Sequence, residues 1–228
     1  MDSRELMRID VETGFTFDAR GRMLCTNEPR EDARRPAPRL LVGHTPDGDM
    51  VRLNTDVPDA MASELTTILA GTKDPIRSRT ALERALTIQG SPTEFHSGPA
   101  YFCPRTPLLS VTTVHVTSAN REIARSTYPW LFEEVADWQP CFAVVSAGAA
   151  VSICFSSRIG TGAAAAGVDT LPEYRGRGYA SAVTAAWASA VSASGRIPFY
   201  STSWDNLASQ GVARRLSLTQ FGEHLSWK

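Results

Sequence analysis

Arginine and glycine alternate at Arg175-Gly176-Arg177-Gly178, and that spacing suits the binding of a phosphate. The run lies between an apolar strand pattern, AAGVDTL, and a helical pattern from Gly178 to Ser194. In the latter, Tyr179, Val183, Trp187, Ala190 and Val191 recur at helical spacing, and Gly195 follows as a stop. A strand-to-helix junction presents backbone N–H groups with no carbonyl one turn back, and the helix dipole adds positive potential. Glycine leaves room for a pyrophosphate to reach those groups, and guanidinium groups can pair with its oxygens. A P-loop would need Lys-Ser/Thr after the second glycine, where Tyr179-Ala180 stand. A dinucleotide fingerprint would need a third glycine, which is absent. The competing reading is a plain turn with solvated arginines. The strand-to-helix setting favours a phosphate-bearing cofactor without naming it.

Other reactive residues make weaker patterns. His44, His96, His115 and His224 are scattered, with no carboxylate or nucleophile partner visible in sequence, and each reads as surface or hydrogen-bonded core. No GxSxG elbow marks a serine hydrolase. Cys25, Cys103, Cys141 and Cys154 form no CxxC pair, so reduced thiols are expected and structural zinc is not. Trp130 and Trp138 suit packing better than a pocket wall.

The elements that must position the loop divide near residue 110. Before it, EPREDARRPAPR at residues 28 to 39 reads as a linker or surface loop. LLVG and MVRLN read as two strands joined by HTPDGD. Pro58 opens a helix with Met61, Leu65, Ile68 and Leu69 on one face. A second helix is expected from Thr80, with a Thr80–Glu83 capping box and a stripe of Leu82, Ala85 and Leu86. After residue 110, two short helices are expected at 120–125 and 130–138. CFAVVS and AVSICFSS form a hairpin about Ala147-Gly148. AAGVDTL, the long helix, the strand IPFYSTS, a helix capped by Asp205 or Asn206, and a last strand EHLSW complete the order.

Lys and Arg number 23 against 24 Asp and Glu, a formal net charge of -1, so neither nucleic acid nor a membrane is indicated as a partner. The charged N-terminus lacks the apolar core of a signal peptide, and a cytoplasmic location is expected.

VDTLPEYRGRGYA resembles the acyl-CoA-binding motif of the GNAT superfamily, Arg/Gln-x-x-Gly-x-Gly/Ala after a strand, and STSWDNLASQGVARRLSL resembles the family's next motif. The resemblance covers about residues 120 to 228. It implies an α/β fold at 111–228, a mixed, mostly antiparallel sheet flanked by helices; the patterns before it read as a smaller α/β region of unknown role at 1–110. It implies that Gly167 to Leu171 splays from IPFYSTS to admit a pantetheine arm. Acetyl-CoA as co-substrate would then be held by Val168, Thr170, Leu171, Arg175, Gly176, Arg177, Gly178, Tyr179, Ala180 and Asn206. A primary amine, on a small molecule or a protein, would attack the thioester directly, approaching from the opposite side over the two short helices. Asp169 is the first candidate base, as a charge in a strand beside the thioester, with Glu173, Glu133, Glu134 and Asp137 as further carboxylates. The family's usual acid, a Tyr seven residues after the motif Asn, is Ala213 here. Tyr200, Ser203 or Ser209 is expected to substitute, or solvent. The alternative function is a non-catalytic acyl-CoA-binding module, and a homodimer is admissible.

Overall fold

The computed structural model describes residues 1–72, 74–87, 94–104 and 110–228. The side chain of Asp2 accepts from the Glu5 N–H at 2.8 Å and so caps the first helix, α1, Ser3–Gly14. Leu6, Met7 and Val11 form its buried stripe, while Arg8 bridges Glu5 and Glu12 outside. The charged N-terminus is therefore an amphipathic helix. β1 (Phe15–Phe17) and β2 (Met23–Thr26) make a separate ribbon. The proline-rich run 28–39 has one 3-10 turn, Glu31–Ala33, and is fastened rather than free. Arg158 Nη2 lies 2.6 Å from Glu28, and Arg30 Nη1 lies 3.0 Å from Glu134.

β3 (Leu40–His44) and β4 (Met50–Leu53) form the expected hairpin, followed by α2 (Asp59–Ala70) behind Pro58. α3 spans Arg79–Thr87. Thr80 thus lies inside the helix, and the expected capping box does not form. Glu83 instead accepts from Arg79 Nε at 2.7 Å, one turn back. β5 (Phe95–Phe102) is a strand that the sequence reading lacked.

Then come β6 (Val114–His115), a 3-10 turn at Arg121–Ala124, α4 (Pro129–Glu134), β7 (Cys141–Ser146), β8 (Ala149–Ile159) and β9 (Ala163–Thr170). A 3-10 turn at Pro172–Tyr174 leads to α5 (Tyr179–Ala193), β10 (Ile197–Ser201), α6 (Leu207–Arg215) and β11 (Thr219–Trp227). The helices expected at 120–125 and 130–138 are shorter than the pattern suggested, and Trp138 lies beyond α4.

Nine strands form one sheet in the order β4-β3-β11-β5-β10-β9-β8-β7-β6. Neighbours are antiparallel except β9 and β10, so the sheet is mixed and mostly antiparallel, as expected. β5 lies between β10 and β11: Tyr101 pairs with Tyr200 on one side and Gln220 on the other. The boundary expected near residue 110 therefore falls between strands of a shared sheet.

Alternation along the strands sorts the helices. Leu40, Val42, Leu225 and Trp227 pack with α2 and α3, whereas Leu41 packs with α1. In β9, Ala163 joins the α1 cluster and Ala164 the α5 cluster. Hence α1 covers one face, and α2, α3 and α5 the other. Trp187 anchors α5, donating from Nε1 to Ser156 Oγ at 3.0 Å. Cys103, Cys141 and Cys154 are buried and form no disulfide, and burial pushes the Cys141 thiol up to about 12. No helix among the described residues is long and apolar enough to cross a membrane.

Candidate active site

The sheet opens where its two parallel strands separate. β9 and β10 pair only from Ala163 with Ile197 to Ala165 with Phe199. Past that point β10 stays with β5, while β9 continues beside β8 to the Ser152–Thr170 pair. The strands splay, and β10 no longer covers the edge from Ala166 to Thr170. Gly98 permits the exit of the chain from β10. A Cβ there would stand 1.8 Å from the Thr202 carbonyl oxygen and 2.7 Å from Ser203 Cα, so only glycine lets the segment cross β5.

The arginine–glycine loop follows β9. Gly176 and Gly178 have φ of 74° and 80°, a left-handed conformation that side chains disfavour. Gly178 is the N-cap of α5, one residue before the helix proper. Ala182 is the residue whose N–H reaches the Gly178 carbonyl, at 3.1 Å, so the N–H groups just before it emerge from the first turn without a carbonyl one turn back. They face a cleft of about 560 Å³ bounded by the splay, the loop and α6.

A second cleft, about 580 Å³, lies on the α1 side of the sheet and takes in Asp10, His96, Arg158, His224 and a set of serines. Val168, Tyr200, Asn206 and Ser209 border both clefts. The two therefore meet through the gap between β9 and β10.

Residues 130–224 match the family described as GNAT acetyltransferase. The structure superposes on a GCN5-related N-acetyltransferase-like protein from Streptococcus suis at a TM-score of 0.51 and 16% identity, over 99% of this chain and 100% of that one. The chain has the GNAT fold. A GCN5-related N-acetyltransferase from Kribbella flavida aligns at 15% identity over 100% of this chain and 95% of that one, with a TM-score of 0.48. A search of curated proteins gives no significant match.

Within this GNAT sheet, Val168, Thr170, Arg175, Gly176, Gly178, Tyr179, Ala180 and Asn206, eight of the expected cofactor-binding residues, border the first cleft. Leu171 and Arg177 do not. Leu171 packs inward against the clusters beneath α4 and α5. Arg177 lies between two left-handed glycines and turns back on its own loop: Nη2 donates to the Glu173 carbonyl at 3.1 Å, over the Tyr174 ring. Its place is taken by Arg215, from the last turn of α6. That guanidinium stands 3.2 Å from where a Cβ on Gly178 would be, facing the empty side of the glycine. In sequence Arg215 had only its position near a helix C-terminus to mark it.

The remaining candidates separate. Tyr200 is buried, and its hydroxyl lies 2.6 Å from Ser209 Oγ, so these two meet at the gap. Burial pushes the Tyr200 hydroxyl up to about 12, with the Ser209 hydrogen bond acting against it. Asn206 Oδ1 accepts from the Ser209 N–H at 3.0 Å, the expected cap of α6, which leaves its NH2 for other partners. Asp169 borders the first cleft, but it is exposed and its Oδ1 accepts from the Thr170 N–H at 2.8 Å. The buried charge inferred from the strand pattern is absent, because Asp169 sits at the strand end on the open side. Glu133, Glu134 and Asp137 border neither cleft, and Glu134 holds Arg30 and Trp138 Nε1. Trp130 and Trp138 pack edge-on with Phe155. Sequence reasoning missed the second cleft's main partners, Asp10 and His224, which lie 3.0 Å apart across 214 residues of chain.

Proposed function

We propose that the protein is an N-acetyltransferase that moves an acetyl group from acetyl-CoA to a primary amine by direct attack. The observation that carries this reading is the meeting of two clefts on opposite faces of the sheet, through a gap bordered by Val168 and Tyr200. A cofactor with a diphosphate at one end and a thioester on a flexible arm fits the first cleft. The first-turn N–H groups of α5, with Arg175 and Arg215, hold the diphosphate. The open edge of Val168 to Thr170 and the NH2 of Asn206 bond the arm amides. The thioester then reaches the gap, and an amine in the second cleft faces its carbonyl carbon.

Edge N–H groups of β9 polarise the carbonyl oxygen as charge develops on it. The nitrogen lone pair adds to carbon, the C–S bond breaks, and the acetyl group stays on nitrogen. Tyr200 donates a hydrogen bond toward the departing sulfur and is held in place by Ser209. Burial holds its hydroxyl at about 12, above a thiol near ~8.5, so proton transfer from it to sulfur is disfavoured. Tyr200 thus steadies the thiolate, and water supplies the proton.

Calorimetric titration with acetyl-CoA, followed by CoA release with a panel of amines, tests the reading. Binding without turnover leaves only an acyl-CoA-binding module. Absence of binding removes the whole reading.

A further inference from the structure

We propose that His224, backed by Asp10, takes the proton from the acceptor amine in the second cleft, and that the acceptor is a small hydroxylated primary amine. This rests on the acetyltransferase reading above. An amine must lose a proton to end as an amide, and most amines are protonated at neutral pH, so a proton acceptor is needed on the acceptor side. The ionisable side chains there are Asp10, His96, Arg158, Tyr200 and His224. Arg158 is paired with Glu28 and is a cation. The Tyr200 hydroxyl is engaged with Ser209, and His96 is exposed beside Asp205.

His224 differs from all of these. It lies on β11 in register with Gly98, on the α1 side, next to the segment that leaves β10 along the gap. Its Nε2 is 3.0 Å from Oδ2 of Asp10, a carboxylate that is only 8% exposed. The Nε2 direction lies off the line to that oxygen, so this buried atom makes no aligned hydrogen bond among the described residues. When the ring takes up a second proton, the 3.0 Å contact becomes an ion pair, so the Asp10 carboxylate steadies the imidazolium as it forms. Nε2 faces Asp10, so Nδ1 is the atom that receives the proton, directly or through one water. His224 takes one proton from the ammonium and later releases it to solvent, which frees the lone pair that adds to carbon; as the C–S bond breaks, the second nitrogen proton passes to solvent. The thiolate takes a proton from water. Thr26, Ser157, Ser201, Ser203 and Ser226 border the same cleft and supply partners for hydroxyl groups on the acceptor.

The test compares the full-length wild type with His224→Gln and Asp10→Asn. Calorimetry with acetyl-CoA comes first, and equal affinity is expected in all three. A wild type that does not bind overturns the acetyltransferase reading and this assignment with it. CoA release is then measured with ethanolamine and 3-aminopropanol, which are basic, and with hydroxylamine, which is already neutral at the assay pH. His224→Gln should lose about 100-fold with the basic amines but only about three-fold with hydroxylamine, because general-base assistance of that order is removed only where it is needed. Asp10→Asn should lose about ten-fold with the basic amines. Imidazole added to His224→Ala should restore part of the rate, which gives a second test should His224→Gln fold poorly. Equal losses with both kinds of amine, no loss with either, or no turnover of these amines by a wild type that binds acetyl-CoA would each overturn the assignment.

Discussion

Arg177 and Arg215 carry the same charge, and the fold uses them differently. Arg177 is turned onto its own loop, while Arg215 crosses from α6 to the glycine that caps α5. Arg215→Ala should therefore weaken acetyl-CoA binding by about 10- to 100-fold, the worth of one well-made charge-assisted contact at ~1.5–3 kcal/mol. Arg177→Ala should change affinity by less than about three-fold, as expected of a surface charge whose partner is its own loop. Titration calorimetry on both decides it, and the reverse ranking would place the diphosphate elsewhere. At the gap, Tyr200→Phe should leave affinity unchanged and lower turnover by about ten-fold, since it removes a donor to the sulfur and one neutral hydrogen bond of ~1 kcal/mol. Steady-state kinetics beside a binding isotherm separates these effects.

Among the elements, the two glycines that shape the site differ in how they fail. At Gly178, with φ of 80°, any side chain is strained by ~1–2 kcal/mol and also meets Arg215. Gly178→Val should thus abolish acetyl-CoA binding and lower the melting temperature of the free protein somewhat. A melting temperature equal to wild type would show that the loop relaxes freely. Gly98 is stricter, because the obstacle is backbone at 1.8 Å rather than a movable side chain. Gly98→Ala should displace the segment after β10, close or distort the gap, and cost several kcal/mol, on the order of a severe core substitution. Denaturant unfolding measures it, and a near-native midpoint would mean that the segment is not held against β5.

For the whole molecule, the deciding fact is that β5 lies inside the sheet. A chain beginning near residue 110 would strip β3, β4 and β5 from β10 and β11, exposing both edges of β11, one edge of β10 and the faces that bury Phe199, Leu225 and Trp227. Such a fragment is expected to be insoluble or unfolded by circular dichroism. A soluble fragment with full activity would mean that residues 1–110 are dispensable. In the intact chain, acetyl-CoA at ~100 times its dissociation constant should stabilise the fold by ~2.7 kcal/mol, visible as a thermal shift that Arg215→Ala reduces.

Local rules made much of this protein legible in sequence. The β7–β8 hairpin, the strand–loop–helix around Arg175 to Ala180 and the Asn206 cap depend on neighbours within a few residues, and they stand where the patterns placed them. β5 escaped notice because FHSGPAYF holds a glycine and a proline that argue against a central strand, and only its partners on both sides make it one. The Thr80 capping box failed because helix entry moved upstream, to Arg79. Asp169 looked buried because its strand is apolar, but burial depends on what packs over a strand end. His224 and Asp10 carry no mutual signal at all, since α1 and β11 lie at opposite ends of the chain and meet only across the finished sheet. Spacing along the chain set which candidate phosphate-binding groups are present, and tertiary packing decided which of them face the cleft.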